Sequence, residues 1–240
     1  MWSDATAIAR LTGTPGQPHP VAGVKFAPDG TALPFPGNTV ICLLPQDAPE
    51  HTALAAISAE LVAAPAWGAK LAALDPTSYH MTVFNGVHAR ARRPEEWPAR
   101  LPQDTPIPEA TRFFAERLRG VRAPSGFAMR PAGLGPTRGG GTVLRLEPCD
   151  TGTAQQLTAL REAVSQALGF RRPNHDRYAF HLTLNYSLAW MDPGEAAGLV
   201  AMQHRLGEAF AARHPVLRFP AAALCTFETL NAFHPVLRLG

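Results

Sequence analysis

Two short segments, YHMTVF (residues 79–84) and AFHLTL (residues 179–184), decide the expected fold of this 240-residue chain. Each segment places a histidine two residues before a threonine inside an apolar run of strand length. Side chains at positions i and i+2 of a strand point to the same face, so each strand presents an imidazole beside a hydroxyl. The apolar neighbours take the opposite face, where a core would form. We therefore expect two strands that carry the same polar pair, His80 with Thr82 and His181 with Thr183.

The two segments also end equivalent stretches of chain. His80 follows Thr39-Val40 by about 40 residues, and His181 follows Thr142-Val143 by a similar distance, with a helical pattern between them each time. Chance alone gives about 0.7 His-x-Thr triplets in this composition, so the position of both triplets in a repeat carries the inference. Each unit is expected to run strand, helix, histidine strand, helix, strand. Two similar lobes would then present their histidine strands to a shared cleft.

Hydrophobic periodicity outlines the elements of the two units. Strands are predicted at residues 38–44, 79–84, 127–134, 142–148, 179–188 and within 216–230, and helices at 49–64, 109–121, 151–168 and 193–213. Residues 1–37 are expected to be irregular apart from a short hairpin around Asp29-Gly30. Residues 38–240 are expected to form one bilobal domain. Its first lobe would cover about 38–134 and its second about 141–240, with exchange of elements between the lobes left open.

Two imidazoles with a pKa near 6.5 are suited to phosphodiester cleavage at neutral pH. One can remove a proton from the nucleophile while the other protonates the departing oxygen. The threonine hydroxyls can donate hydrogen bonds to the non-bridging phosphate oxygens. Such a site requires no metal and no cofactor, and the sequence contains neither a carboxylate cluster nor the His/Cys spacing of a zinc site.

Charge and composition exclude several other classes. The formal net charge of +3 is too small for a protein that coats nucleic acid, although a local anion site remains compatible with it. The three widely spaced cysteines, Cys42, Cys149 and Cys225, favour small core residues over a disulfide framework or a metal site. No apolar run approaches membrane-spanning length, and the first residues do not read as a leader peptide. We expect a cytoplasmic monomer with no membrane contact and no obligate protein partner.

At the two motifs the sequence resembles the two-histidine (2H) phosphoesterase superfamily. This LigT-like fold includes RNA 2′,3′-cyclic phosphodiesterases and RNA-end-processing enzymes. Its signature of paired His-x-Thr/Ser-hydrophobic motifs is matched by His80-Met81-Thr82-Val83 and His181-Leu182-Thr183-Leu184. The segment VKFAPDGTALPFPGNTVICLL (residues 24–44) is similar to an uncharacterised microbial branch of the superfamily. The resemblance implies an α+β, bilobal, duplicated fold with two antiparallel sheets facing a central cleft and helices outside.

The resemblance also implies a function. His80 and His181 would be the catalytic acid and base, and Thr82 and Thr183 would bind the phosphate. The substrate would be a small nucleotide or a short RNA end, with a 2′,3′-cyclic phosphate as the representative case. Two alternatives stay open: a module that binds a nucleotide or cyclic oligonucleotide without turnover, and an enzyme of RNA-end processing or 2′-5′ ligation.

Other residues are candidates for substrate contacts by residue type and position. The aromatic residues Tyr79, Tyr178, Phe26 and Phe35 would stack on a base or wall the pocket, unless they simply pack in the core. The basic residues Lys25, Arg130, Arg171 and Arg172 would contact phosphate, unless they are solvated surface charges. The loop at residues 89–108 carries Arg90, Arg92 and Arg93, which suit either a lid over an anionic substrate or, with Glu95 and Glu96 adjacent, a mobile solvated loop. Asn38 would touch the ligand or serve the turn that precedes it.

Overall fold

The computed structural model describes residues 3–14, 16–137 and 139–240. Within these residues the chain forms an α+β fold. The helices are α1 (Asp4–Thr12), α2 (Pro49–Val62), α3 (Ile107–Leu118), α4 (Thr151–Leu168) and α5 (Pro193–Arg213). The strands are β1 (Gly37–Leu43), β2 (Leu71–Ala73), β3 (His80–His88), β4 (Gly126–Thr137), β5 (Gly140–Pro148), β6 (His181–Ser187), β7 (Leu217–Pro220), β8 (Ala223–Phe227) and β9 (His234–Arg238).

The strands form two antiparallel sheets. The first has the order β3-β1-β8-β9 and the second the order β2-β6-β5-β4-β7. Helices α3 and α4 pack on β1 and β3 of the first sheet, while α2 and α5 pack on β2, β6 and β4 of the second. Each motif strand therefore has a helix behind it and the opposite sheet in front of it. This confirms the expected fold class of two facing sheets with the helices outside.

The duplication is visible in the pairing of the strands. In each sheet the motif strand lies antiparallel to the strand that opens its own unit, β3 beside β1 and β6 beside β5. The third strand of each group comes from the other unit, because β8 pairs with β1 and β4 pairs with β5. The exchange that the sequence left open thus occurs. The predicted boundary near residue 134 does not divide the sheets, since residues 126–137 lie wholly in the second one.

Capping residues explain why α4 and α5 begin and end where the sequence predicted. Asp150 caps α4 by accepting a hydrogen bond from the Thr153 backbone, and Gly169 ends it in a left-handed conformation with φ 71°. Asp192 and Glu195 form a reciprocal capping box at the start of α5, where Pro193 occupies the first turn.

The N-terminal segment differs from the expected irregular chain. Helix α1 was missed because nine residues are too few for a clear hydrophobic period, and packing against α5 stabilises it. The predicted hairpin is reduced to single bridges around Phe26, with the Asp29-Gly30 turn held by a hydrogen bond from the Gly30 amide to the Ala27 carbonyl. Residues 1, 2 and 15 of this predicted segment lie outside the described residues.

Two further strands, β2 and β9, were also missed. β2 is only three residues long, and β9 is a largely exposed edge strand that contains Pro235, so neither shows a strand pattern. Most buried apolar residues of both sheets join one core cluster, which includes Cys42 on β1, while Cys225 is also buried and Cys149 is partly exposed. No helix within the described ranges has the length and apolar character needed to cross a bilayer.

Candidate active site

An open cleft of about 540 Å³ lies between the two sheets. Strands β3 and β6 approach each other here, with Cα atoms within 8 Å across the gap. His80 and Thr82 line the cleft from the first sheet, and His181 and Thr183 line it from the second. The two motifs, about 100 residues apart in sequence, therefore meet in one site, as the repeat predicted.

The two motif imidazoles are held by the same contact. Nδ1 of His80 lies 2.6 Å from the Ser78 carbonyl oxygen, and Nδ1 of His181 lies 2.9 Å from the Ala179 carbonyl oxygen. A carbonyl oxygen only accepts, so each Nδ1 carries a proton and donates it to the backbone two residues earlier. In the neutral ring Nε2 then has a free lone pair, and it is the nitrogen left for a bound substrate.

A single 3-10 turn before each motif strand sets up this contact. The turn at Pro76–Ser78 is capped by Asp75, whose carboxylate accepts hydrogen bonds from the backbone and hydroxyl of Thr77. The turn at His175–Arg177 also precedes its motif, but it has no side-chain cap and ends before Ala179. In both places the chain enters the sheet with the carbonyl of residue i−2 beside the histidine ring. The duplication thus extends to a detail that the sequence does not show.

Two β-bulges decide which side chains of β3 face the cleft. Relative to β1, β3 carries an extra residue near Val83 and another between Asn85 and His88. As a result the cleft face continues from Thr82 to Asn85 and then to His88, while Phe84 is buried in the core. A regular period of two would have placed Phe84 on the cleft face.

A bulge at the equivalent place in β6 acts in the same way. The register with β5 shifts after Thr183, so Asn185 turns into the core and Tyr186 faces the cleft. Asn85 and Tyr186 therefore occupy corresponding positions on the two walls.

Burial lowers the pKa of both motif histidines. The pKa of His80 falls to about 4, first because of burial and further because of the nearby charge of His181, while its bond to Ser78 acts in the opposite direction. Burial also lowers the pKa of His181, against its bond to Ala179. The two rings sense each other's charge, so they titrate as a pair.

Tyr178 lines the cleft next to Thr82 of the first motif. Its pKa is raised by burial, against the opposing effects of the Arg161 cation and of interactions with the Thr82 and Asn85 side chains, so the phenol stays protonated at neutral pH. Arg161 lies over the ring of Tyr178, 4.4 Å from its centroid. The buried guanidinium is itself fixed by hydrogen bonds to the carbonyl oxygens of Val83 and His175.

Aromatic rings form walls around the polar floor. Phe233 packs against His80 with ring centroids 4.3 Å apart, and it also contacts Phe227 at 5.2 Å. Phe35 and Tyr186 line the cleft farther along. Flat apolar surfaces beside a polar floor are suited to a nucleobase.

The charges that line the cleft are all basic. Lys25, Arg90 and Arg172 contribute side chains, and no described carboxylate is part of the lining. Arg172 donates to the backbone carbonyls of Asn85 and Gly86 and forms an ion pair with Glu96 at 3.2 Å. A cleft lined by one sign of charge attracts anionic ligands. In the described part of the chain, no group of three or more His, Cys, Asp or Glu side chains is arranged to hold a metal ion.

Comparisons with known proteins identify the family of the chain. Residues 25–140 match a family model described as "2H-phosphodiest: Domain of unknown function (DUF1868)". A conserved protein of unknown function from Agrobacterium tumefaciens, ATU0111, has a similar solved structure, with 30% sequence identity, a TM-score of 0.88, and coverage of 97% of this chain and 98% of that chain. The chain belongs to the 2H phosphoesterase superfamily.

A more distant similarity and one negative result complete the comparisons. The crystal structure of TT0787 from Thermus thermophilus matches with 18% identity and a TM-score of 0.41, over 78% of this chain and 86% of that chain. No curated protein matches the chain.

We refer to the cleft between β3 and β6 as the 2H site. Several residues that the sequence suggested as substrate contacts do lie there. Phe35, Tyr178, Lys25 and Arg172 all line the cleft. Asn38 also reaches it, although its amide chiefly joins elements, donating to the Thr111 hydroxyl on α3 and accepting from the Val87 backbone on β3.

Four other predicted contacts lie away from the 2H site. Tyr79 and Phe26 are both buried in the core. Tyr79 precedes His80 by one residue and so faces the side opposite to it. Phe26 packs against the ring of Tyr186. Arg130 forms an exposed ion pair with Glu147, and Arg171 pairs with Glu162 and Asp176 on the surface. The expectation that these four residues bind substrate is therefore wrong.

The loop at residues 89–108 is folded around Trp97. Arg92 lies over the Trp97 ring and donates to the carbonyls of Gln103 and Thr105, while the indole nitrogen donates to the Pro102 carbonyl. Of the three arginines near its start, Arg90 lines the cleft. The expected solvated loop is thus a packed one that contributes a basic side chain to the 2H site.

Sequence reasoning missed four residues that shape the 2H site. Asn85 and His88 reach the cleft only because of the bulges, which leave no sequence signal. Phe233 comes from the loop between β8 and β9, far from either motif in sequence. Arg161 lies on α4 among surface-like residues, and only its burial beneath Tyr178 marks it.

Proposed function

We propose that this protein is a metal-independent phosphodiesterase that hydrolyses a small nucleotide phosphodiester, with a 2′,3′-cyclic phosphate as the representative substrate. The observation that carries the proposal is the matched pair of imidazoles. Each ring is fixed through Nδ1, offers Nε2 to one cleft, and has a threonine hydroxyl two residues away on the same face.

In the proposed hydrolysis the histidine pair takes up one proton and gives up another. Nε2 of one neutral histidine accepts a proton from water as the water oxygen bonds to phosphorus. Nε2 of the other, protonated histidine donates its proton to the ester oxygen as the P–O bond breaks. The hydroxyls of Thr82 and Thr183 donate to the non-bridging oxygens and stabilise their charge. The proton passes between the rings through solvent before the next turnover.

The size and lining of the cleft favour a nucleotide. A volume of about 540 Å³ falls within the range of small-molecule sites. Phe233 beside His80 and Tyr178 beside Thr82 place aromatic surface next to the phosphate position, where a base or ribose would lie. The cationic lining favours an anionic ligand over a neutral one.

Turnover of a panel of nucleoside 2′,3′-cyclic phosphates and short 2′-5′ and 3′-5′ oligonucleotides tests the proposal. We expect His80→Ala and His181→Ala each to reduce kcat by about a thousandfold or more, since one proton transfer is lost in each. His234→Ala removes an exposed histidine on β9 and serves as the control that retains full activity. Thermal unfolding of all variants shows whether the fold is kept, and chelator is expected to leave the rate unchanged.

Three results would contradict the proposal. Full turnover in either motif variant would remove the histidines from the chemistry. Tight binding of a cyclic nucleotide that is recovered unchanged after long incubation would instead favour a binding module. Turnover restricted to long oligonucleotides would point to RNA-end processing.

A further inference from the structure

We propose that the cleft binds a substrate with two phosphate groups, and this inference deepens the proposed function, on which the place of the first phosphate rests. The scissile phosphodiester lies on the histidine floor. The second phosphate occupies a distal subsite at the other end of β3, formed by Lys25, His88, Arg90 and Arg172. The substrate class is then a nucleoside 2′,3′-cyclic phosphate that carries a further phosphate on the nucleoside.

The register of β3 separates the two positions. Thr82 pairs with Ile41 and His88 pairs with Gly37, so the two levels are four residue steps apart along β1, or about 13 Å of strand. One phosphate cannot reach both levels. The side chains of the distal subsite extend back into the same cleft, so a nucleoside between them would connect a phosphate at each end.

The cations of the distal subsite have little compensating charge. Lys25 Nζ lies 4.8 Å from the ring centroid of Tyr186 and 5.6 Å from that of Phe35, which places this ammonium between the two sheets. Glu96 pairs with Arg172. Among the described residues, Lys25 and Arg90 have no carboxylate partner. Uncompensated cations in a concave surface are the usual receptor for phosphate.

The same uncompensated charge affects the pKa of His88. Burial and the positive charges of Arg172 and Lys25 lower the pKa of His88 to about 4, so both cations act on this ring. The ring stacks on Phe35 at a centroid distance of 4.5 Å, and its buried Nδ1 has no hydrogen-bond partner. Buried polar atoms are rarely left unpaired. An anionic oxygen placed among these groups would offset the cations.

Binding of two adenosine phosphates tests the distal subsite without requiring turnover. We expect adenosine 3′,5′-bisphosphate to bind the wild-type protein about tenfold or more tightly than adenosine 3′-monophosphate, measured by calorimetry. Lys25→Gln and Arg90→Gln each remove one charge at nearly constant length, and each is expected to reduce this ratio to about threefold or less. Arg90 is exposed, so its substitution leaves the fold intact.

Arg112→Gln is the matched control, because it removes the same charge from an exposed position on α3. It is expected to keep the wild-type ratio. A ratio near one in the wild-type protein would overturn the inference, and so would a high ratio that both Lys25→Gln and Arg90→Gln retain. If the bisphosphate advantage follows the prediction but no cyclic nucleotide is hydrolysed, only the proposed hydrolase activity fails.

Discussion

His80 and His181 are chemically alike in their backbone contacts, and their charges repel each other. Both donate from Nδ1 to a carbonyl two residues earlier, so either Nε2 is positioned to accept or donate a proton. The charge of His181 lowers the pKa of His80, so the pair takes up one proton more readily than a second. The singly protonated pair is the form that holds one acid and one base.

These pKa shifts predict an acidic optimum for kcat/KM. Burial lowers the pKa of His181 below 6.5 and that of His80 to about 4, so the free enzyme loses its last shared proton before pH 6.5. As pH rises above the pKa of His181, kcat/KM should fall about tenfold per pH unit. A pH profile of kcat/KM for a cyclic nucleotide measures this decline.

The pH profile of kcat is expected to differ from that of kcat/KM. A bound anionic phosphate favours the protonated pair and raises both pKa values, so the optimum of kcat should lie at higher pH than that of kcat/KM. A kcat/KM that stays constant from pH 6 to 8 would contradict the shifts. Coincident profiles for the two parameters would show that the phosphate does not lie near the histidines.

At this scale the sequence could predict the motif residues from a period of two, and a few further contacts from residue type. The motif side chains, Tyr178 and Lys25 were all predicted to reach the site, and they do. Tyr79 was offered as a substrate contact for its aromatic character, although its odd position beside His80 already indicated the core, where it lies. Arg161 could not be predicted, since its partners, the carbonyls of Val83 and His175, are fixed only by tertiary packing.

At the scale of elements, bulges in the motif strands shape the cleft. They bring Asn85, His88 and Tyr186 to the walls and turn Phe84 and Asn185 into the core. Gly86 lies in the second bulge of β3, between Asn85 and His88, and is closely packed on β1. A Cβ atom there would overlap the side-chain and backbone oxygens of Asn38.

Gly86→Ala is therefore expected to lower the free energy of unfolding by about 1–3 kcal/mol, because β3 must move away from β1. The displacement would also shift the Asn85 and Gly86 carbonyls that hold Arg172, so kcat/KM should fall. Urea unfolding and steady-state kinetics measure the two effects.

Gly120→Ala provides the comparison for this substitution. A Cβ atom at Gly120 would meet no heavy atom within 4 Å. Its free energy of unfolding should change by about 0.5 kcal/mol or less, with unchanged activity. Equal stability of the Gly86 and Gly120 variants would show that the close approach of β3 to β1 is not required.

Elements with local signals were predictable, and elements that depend on distant partners were not. Helices α4 and α5 have strong caps at Asp150, Gly169 and Asp192, and their predicted bounds agree with the structure. Helix α1 and strand β9 are short and are held by packing or pairing with other parts of the chain, so periodicity could not reveal them. Bulges require knowledge of the partner strand.

At the scale of the whole molecule, the cleft exists because the two units exchange strands. β8 completes the sheet of the first motif and β4 completes that of the second, so neither half of the chain contains a whole wall. The exchange ties the two sheets together and brings β3 opposite β6. The repeat in the sequence predicted two facing lobes, while the partner of each third strand depends on long-range pairing that local patterns do not encode.

Hydrolysis of adenosine 2′,3′-cyclic phosphate in heavy-oxygen water, with chelator present, tests the account most directly. If His80 and His181 together move the protons of a water attack, the wild-type protein incorporates one solvent oxygen into the product phosphate. His80→Gln and His181→Gln would each lose this reaction while keeping the fold. Incorporation at the wild-type rate in either variant would contradict the account, as would incorporation that chelator abolishes.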